Sequence, residues 1–191
     1  ANVWAKQEHC GVQLYRSMLK TALKASYLAF FGVDLEQELA QSSEDYTFDQ
    51  YVDVVDLISN TYEEASHRLD GGYIKFIRDF GRALMVKAPK ASFGYTMQQM
   101  ADDKNHPEFT LSMGISNAMF YVHALPVMTA IFNHWCIYIL HVRYPQHLGR
   151  IRTELARGEK TYFRMCLKEV VRLYHPAAFM ARRVKETTVM D

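Results

Sequence analysis

Residues 109–142 contain no Asp, Glu, Lys or Arg. A run this long constrains the fold more than any other stretch, because an uncharged segment of that length either spans a membrane or forms a long helix inside a protein. Ser112, Ser116, Asn117, His123, Asn133, His134 and His141 put more polar groups on it than a lipid-facing helix carries. The expectation is therefore a central helix over about residues 113–142 and no transmembrane span. Pro126 should kink this helix, and its polar side chains should be satisfied by neighbours or face a cavity.

The rest of the chain also reads as helix. Val12, Tyr15, Met18, Leu19, Ala22, Leu23 and Phe30 keep a three-four rhythm that ends near Gly32. A polar break at residues 42–45 precedes Thr47, a candidate cap for a second helix carrying Phe48, Tyr51, Val55, Ile58 and Tyr62. The pair Gly71-Gly72 should stop that helix. A third helix is expected over residues 73–87, closed by Pro89, and a shorter one over 95–101. Beyond the uncharged run, Tyr144-Pro145 breaks the chain before a charged amphipathic helix over 146–157. Gly158 separates this from a last helix over 161–174, and residues 177–191 read as an extended tail. No alternating strand pattern, repeat or linker is visible, so the expectation is one all-α domain over residues 1–191.

Bulk properties narrow the function classes. Of the 191 residues, 49% are hydrophobic and 23% charged, the balance of a globular protein. A net charge of +1 gives no reason to expect nucleic acid. The late basic residues, from Arg150 to Lys185, are interspersed with acids and read as a solvated face. Three cysteines, Cys10, Cys136 and Cys166, form no CxxC pair and leave one over in any disulfide scheme, which points to a reducing environment. No basic stretch followed by an apolar run opens the sequence, so no signal peptide is expected. His134 and His141 share a helix face, but without HExxH or a carboxylate on that helix they and His123 read as core or cavity histidines. No GxSxG or phosphate-binding loop occurs.

The most specific stretch is Leu167-Lys168-Glu169-Val170-Val171-Arg172-Leu173-Tyr174-His175-Pro176, followed by Ala181-Arg182-Arg183. Glu169 and Arg172 are three apart on a helix, so their side chains can meet. The stretch resembles the ExxR helix of the cytochromes P450 and its exit. Tyr144-Pro145-Gln146 through Arg152-Thr153-Glu154-Leu155 resembles the helix preceding ExxR in that family, and Ala29-Phe30-Phe31-Gly32-Val33-Asp34-Leu35 is similar to a stretch before its substrate-covering helices. The resemblance implies an incomplete P450-like fold with a long central helix and a short extended tail.

By the same resemblance, Glu169 and Arg172 are structural anchors. Arg182, with Arg183 as its near alternative, contacts a haem propionate, and Ala124, Leu125 and Met128 line the distal wall. Where the family has an acid–alcohol pair, this chain has Val127 and Met128, neither of which relays a proton, with Thr129 adjacent as the catalytic candidate. His123-Ala124 and Thr129-Ala130-Ile131-Phe132 fit a proline-bearing version found in the branch with sterol 7-hydroxylases and many fungal enzymes; otherwise the relay is lost. The spacing from Ala124 to Pro145 is one residue longer than the family leads one to expect.

The Phe-x-x-Gly-x-x-x-Cys-x-Gly loop that carries the axial thiolate is not among these residues. For Cys136 and Cys166 the expectation is a buried small hydrophobe, not a haem ligand. What the family implies is haem, a lipophilic substrate, oxygen, and electrons from an NADPH-dependent reductase or other donor, with a full-length parent on the cytoplasmic side of the endoplasmic reticulum membrane. The alternatives are a haem-dependent isomerase or dehydratase of the same fold, or a non-catalytic helical remnant.

Overall fold

The computed structural model describes residues 13–42, 46–60 and 71–175. Arg182, Arg183, Cys10 and the expected extended tail lie outside the described residues. Among those described the protein is all-α, and its chain divides into two compact units, Ala1–His134 and Trp135–Asp191.

In the first unit, α1 (Leu14–Phe31) buries Leu19, Leu23, Tyr27 and Phe31, a strict four-residue stripe. It ends where the spacing predicts: Gly32 adopts a left-handed φ of 71° and its N–H caps Leu28 O at 2.9 Å. A short helix absent from the expectations, α2 (Leu35–Ser42), follows at once. Asp34 Oδ1 accepts from the N–H groups of Glu36 and Gln37 at 3.0 and 3.2 Å, and Glu36 and Glu38 complement the positive end of the helix.

Helix α3 (Phe48–Asn60) begins with the expected Thr47 cap, strengthened by Gln50. Gln50 N–H donates to Thr47 Oγ1 at 3.3 Å while Thr47 N–H donates to Gln50 Oε1 at 2.8 Å, a reciprocal capping box. Helix α4 (Gly71–Lys87) starts at the glycine pair expected to stop its predecessor, and α5 (Phe93–Asp102) is capped by Ser92.

The uncharged run forms α6 (Leu111–Tyr138), with Pro126 inside it. Together with the turn that follows, it is the one described segment long and apolar enough to cross a membrane, at a mean hydropathy of 1.4. One side is packed: Ile115, Ala118, Met119, Val122, Val127 and Ala130 enter the core cluster with Leu19, Leu23, Tyr27, Tyr51, Phe80 and Leu84. Gly81 makes the close approach to α4 possible, since a Cβ there would lie 2.8 Å from Met119 Cγ. The opposite side is open, with Phe120 63% exposed and Met113, Tyr121, Leu125 and Met128 also uncovered.

In the second unit the end of α6 widens into a π-helical turn, Ile139–Arg143, closed by Tyr144 N–H to Ile139 O at 2.8 Å. Such a turn takes up one residue more than an α-helical turn. Helices α7 (Gln146–Ala156) and α8 (Thr161–Leu173) follow, separated at Gly158, whose φ is 77°. Among the described residues of this unit, Cys136, Ile139, Leu140, Ile151 and Val170 are buried.

Candidate functional site

On α6 the four positions singled out from the sequence do not share one environment. Ala124 is half-buried, whereas Leu125, Met128 and Thr129 are exposed. Val127 is 4% exposed and packs in the core. The helix thus turns the valine inward and leaves an uncharged open side bearing Tyr121, Ala124, Leu125 and Met128.

On α8, Glu169 and Arg172 meet as their spacing requires. Arg172 Nε donates to Glu169 Oε2 at 2.9 Å and Nη2 to Oε1 at 2.7 Å, a two-pronged pair. The guanidinium holds the Glu169 carboxyl below the usual carboxylate range. Both side chains are exposed, 56% for Glu169 and 66% for Arg172.

Beside them lies a cleft of about 450 Å³, lined chiefly by Ile139, Leu140, Met165, Cys166, Val170 and Leu173. His147, which also lines the cleft, belongs to a paired network between α7 and α8. Glu154 accepts from Arg150 Nε at 2.9 Å and from the Tyr162 N–H at 3.1 Å, which satisfies a donor in the first turn of α8. Arg150 stacks over the Tyr162 ring at 3.8 Å, and the Tyr162 hydroxyl is 2.5 Å from His147 Nδ1. Burial pushes the Cys166 thiol up, and pushes Cys136 up to about 11. Both sulfurs are therefore protonated thiols at neutral pH. Cys136 is buried as expected, whereas Cys166 is only half-buried. Among the described residues no group of three His, Cys, Asp or Glu side chains is placed to hold a metal ion.

The strongest polar constellation was not assembled from the sequence. Tyr27 on α1 and Tyr51 on α3, both fully buried, hydrogen-bond through their hydroxyls. His123 on α6 completes the group, its Nε2 lying 2.6 Å from Tyr51 Oη and 3.3 Å from Tyr27 Oη. Burial pushes His123 down to about 4 and raises both phenols well above their ordinary value. A neutral imidazole and two neutral phenols follow. The three neutral groups share their protons along Tyr27 Oη, Tyr51 Oη and His123 Nε2, with the imidazole tautomer setting which atom donates in each bond. Aromatic rings enclose the group: Phe31 lies 5.8 Å from Tyr27, and Phe80 lies 6.2 Å from Tyr27 and 6.3 Å from Tyr51. The sequence signal is Tyr51 on the apolar stripe of the second expected helix, since a buried phenol needs a partner; Tyr27 falls outside the stripe expected for α1.

No family model, curated protein or solved structure matches the chain.

Proposed function

We propose that this chain is a helical portion of a haem-thiolate monooxygenase, an oxidoreductase that inserts oxygen into lipophilic substrates using electrons from a reductase. The observation that carries the reading is the two-pronged Glu169–Arg172 pair on α8, in its family order after α6 and the Pro145-led helix α7. The π-helical turn at Ile139–Arg143 supports it further, because it takes up the one residue by which the Ala124–Pro145 spacing exceeds the family's.

The chemistry of the side chains is compatible with haem on one side only. The uncharged open side of α6, with Ala124, Leu125 and Met128, suits an apolar macrocycle and an apolar substrate. Cys136 and Cys166, protonated and set within helices, do not suit an axial thiolate. When bound, haem would supply the oxygen chemistry. This chain's own residues would exclude water from the distal side and hold the helix that carries Glu169 and Arg172.

One observation favours a second reading, a haem-dependent isomerase or dehydratase that needs no proton delivery to oxygen. Val127, where the family has its acid, is packed into the core, and no described residue replaces it there.

Reading the transcript in frame beyond the Asp191 codon tests the family assignment. The expected result is a Phe-x-x-Gly-x-x-x-Cys-x-Gly loop and, in the encoded product, the thiolate-specific absorbance band of the reduced carbon-monoxide complex. A continuing open reading frame without that loop, or a loop-bearing product without that band, overturns it. Product formation without reductase would favour the isomerase reading.

A further inference from the structure

We propose that the exposed face of α8 is a docking surface for a bilayer rich in anionic phospholipid, which it meets in the plane of the headgroups. Between Trp135 and His175 the chain holds eight Lys or Arg against three Asp or Glu, although its overall charge is only +1. The cationic excess is therefore local to the second unit.

The arrangement of these cations on α8 points to an anionic partner. Lys160 at the N-cap, then Arg164, Lys168 and Arg172, recur every four residues and are exposed, so their side chains form one row along the helix. Glu154 pairs with Arg150 and Glu169 with Arg172, but among the described residues no ion pair reaches Lys160, Arg164 or Lys168. Like charges four apart repel, and the first turn of α8 has no acid to complement the positive end of the helix. The protein leaves the row uncompensated, and a surface of phosphate and carboxylate groups would compensate it.

Exposed aliphatic side chains decide which polyanion fits. Met165 falls on one flank of the row and Val171 on the other, 61% and 37% exposed. A nucleic-acid backbone or an acidic protein surface would leave both against charged groups. A bilayer takes them between its headgroups, while the long stems of Lys and Arg carry their charges back to the phosphates. The contact is interfacial and needs no span. The inference does not depend on the haem reading, and neither does its test.

The 191-residue protein would be sedimented with vesicles of phosphatidylcholine alone and of equimolar phosphatidylcholine and phosphatidylserine. The expected result is binding to the mixed vesicles only. The double variant Arg164→Gln/Lys168→Gln should weaken it roughly thirtyfold, at about fivefold per cation. Lys75→Gln/Arg78→Gln on α4, also exposed and equal in net charge, should leave it within about twofold. Glutamine is a good helix former and the α8 variant removes a like-charge repulsion, so a failure to fold does not mimic the loss. Met165→Ser, which leaves the charge untouched, should also weaken binding to the mixed vesicles. No binding to the mixed vesicles, or equal binding by Arg164→Gln/Lys168→Gln, overturns the proposal. Undiminished binding by Met165→Ser overturns it too, because charge alone would then hold the protein and its partner would be a soluble polyanion, a nucleic acid or an acidic protein.

Discussion

Tyr51 Oη and His123 Nε2 lie 2.6 Å apart, joining α3 to the middle of α6 across 72 residues of sequence. The bond does for α6 what apolar packing alone does not. A helix that is uncharged on every side, as α6 is, has no strong intrinsic preference for which side faces inward. A single polar residue that finds its partner only in one orientation fixes the rotation, as buried polar groups do where they set register. Val122, Val127 and Ala130 then face the core, while Tyr121, Leu125 and Met128 face outward.

Tyr51→Phe keeps the ring and removes the hydroxyl that links Tyr27 to His123. The loss should be about 1–2 kcal/mol, the cost of a buried acceptor left short of its donor. Urea unfolding followed by far-ultraviolet circular dichroism measures it. Unchanged stability would mean that the three polar groups are not bonded as described.

His123 also sets an acid dependence. Its imidazole stays neutral in the folded protein down to about pH 4, whereas in the unfolded chain it takes up a proton at about 6.5. The unfolded state therefore binds more protons between those values. Stability from this group is fully present above about pH 6.5 and is lost as pH falls towards 4, by roughly 3 kcal/mol in all. Denaturation midpoints measured at intervals across that window should decline in the parent and stay flatter in His123→Phe. Parallel slopes would show that other groups cause the decline.

Two glycines in helices should respond in opposite directions. At Gly81 a Cβ would meet Met119 Cγ at 2.8 Å and Ile115 Cγ2 at 3.1 Å, so Gly81→Val overpacks the contact between α4 and α6, at about 1–3 kcal/mol. At Gly149 nothing lies within 4 Å, and Gly149→Ala should stabilise α7 by about 0.5–1 kcal/mol through helix propensity. Thermal unfolding of the two variants separates them. A stabilising Gly81→Val would contradict the close packing of α6 on α4.

What could be read from the sequence followed from local spacing. The helical rhythm of α1 through Leu19 and Leu23, its end at Gly32, the Thr47 cap and the break at Pro145 each depend on residues within a turn or two of one another, whereas the stripe continues through Tyr27 and Phe31 and not through the expected Phe30. Helix α2 was missed because eight residues with only Leu35 and Leu39 buried cannot display a period. Gly71-Gly72, expected to stop the preceding helix, occupies the first turn of α4, where the N–H groups need no intrahelical partner and glycine costs less; the end of that preceding helix lies outside the described residues. The Tyr27–Tyr51–His123 group was beyond reach for a different reason. Each member fits its own helix as an ordinary core or cavity residue, and only tertiary packing brings together positions 24, 72 and 96 residues apart. The chemistry of Arg182 and Arg183 stays with the resemblance, because both lie outside the described residues.

The Glu169–Arg172 pair gives the sharpest division between readings. Two exposed side chains three residues apart on a helix contribute little to stability, because water solvates each of them almost as well when they are separate. Arg172→Ala in the 191-residue protein should therefore leave the denaturation midpoint unchanged within error. If the pair is an anchor of a haem enzyme, the same substitution in the full encoded product should abolish haem incorporation, read as loss of the haem absorbance at unchanged polypeptide yield. The conservative Arg172→Lys should fail as well, since an ammonium cannot reproduce the two parallel bonds to Oε1 and Oε2. Full haem content in both variants would reduce the pair to a surface contact and remove the main support for the monooxygenase reading.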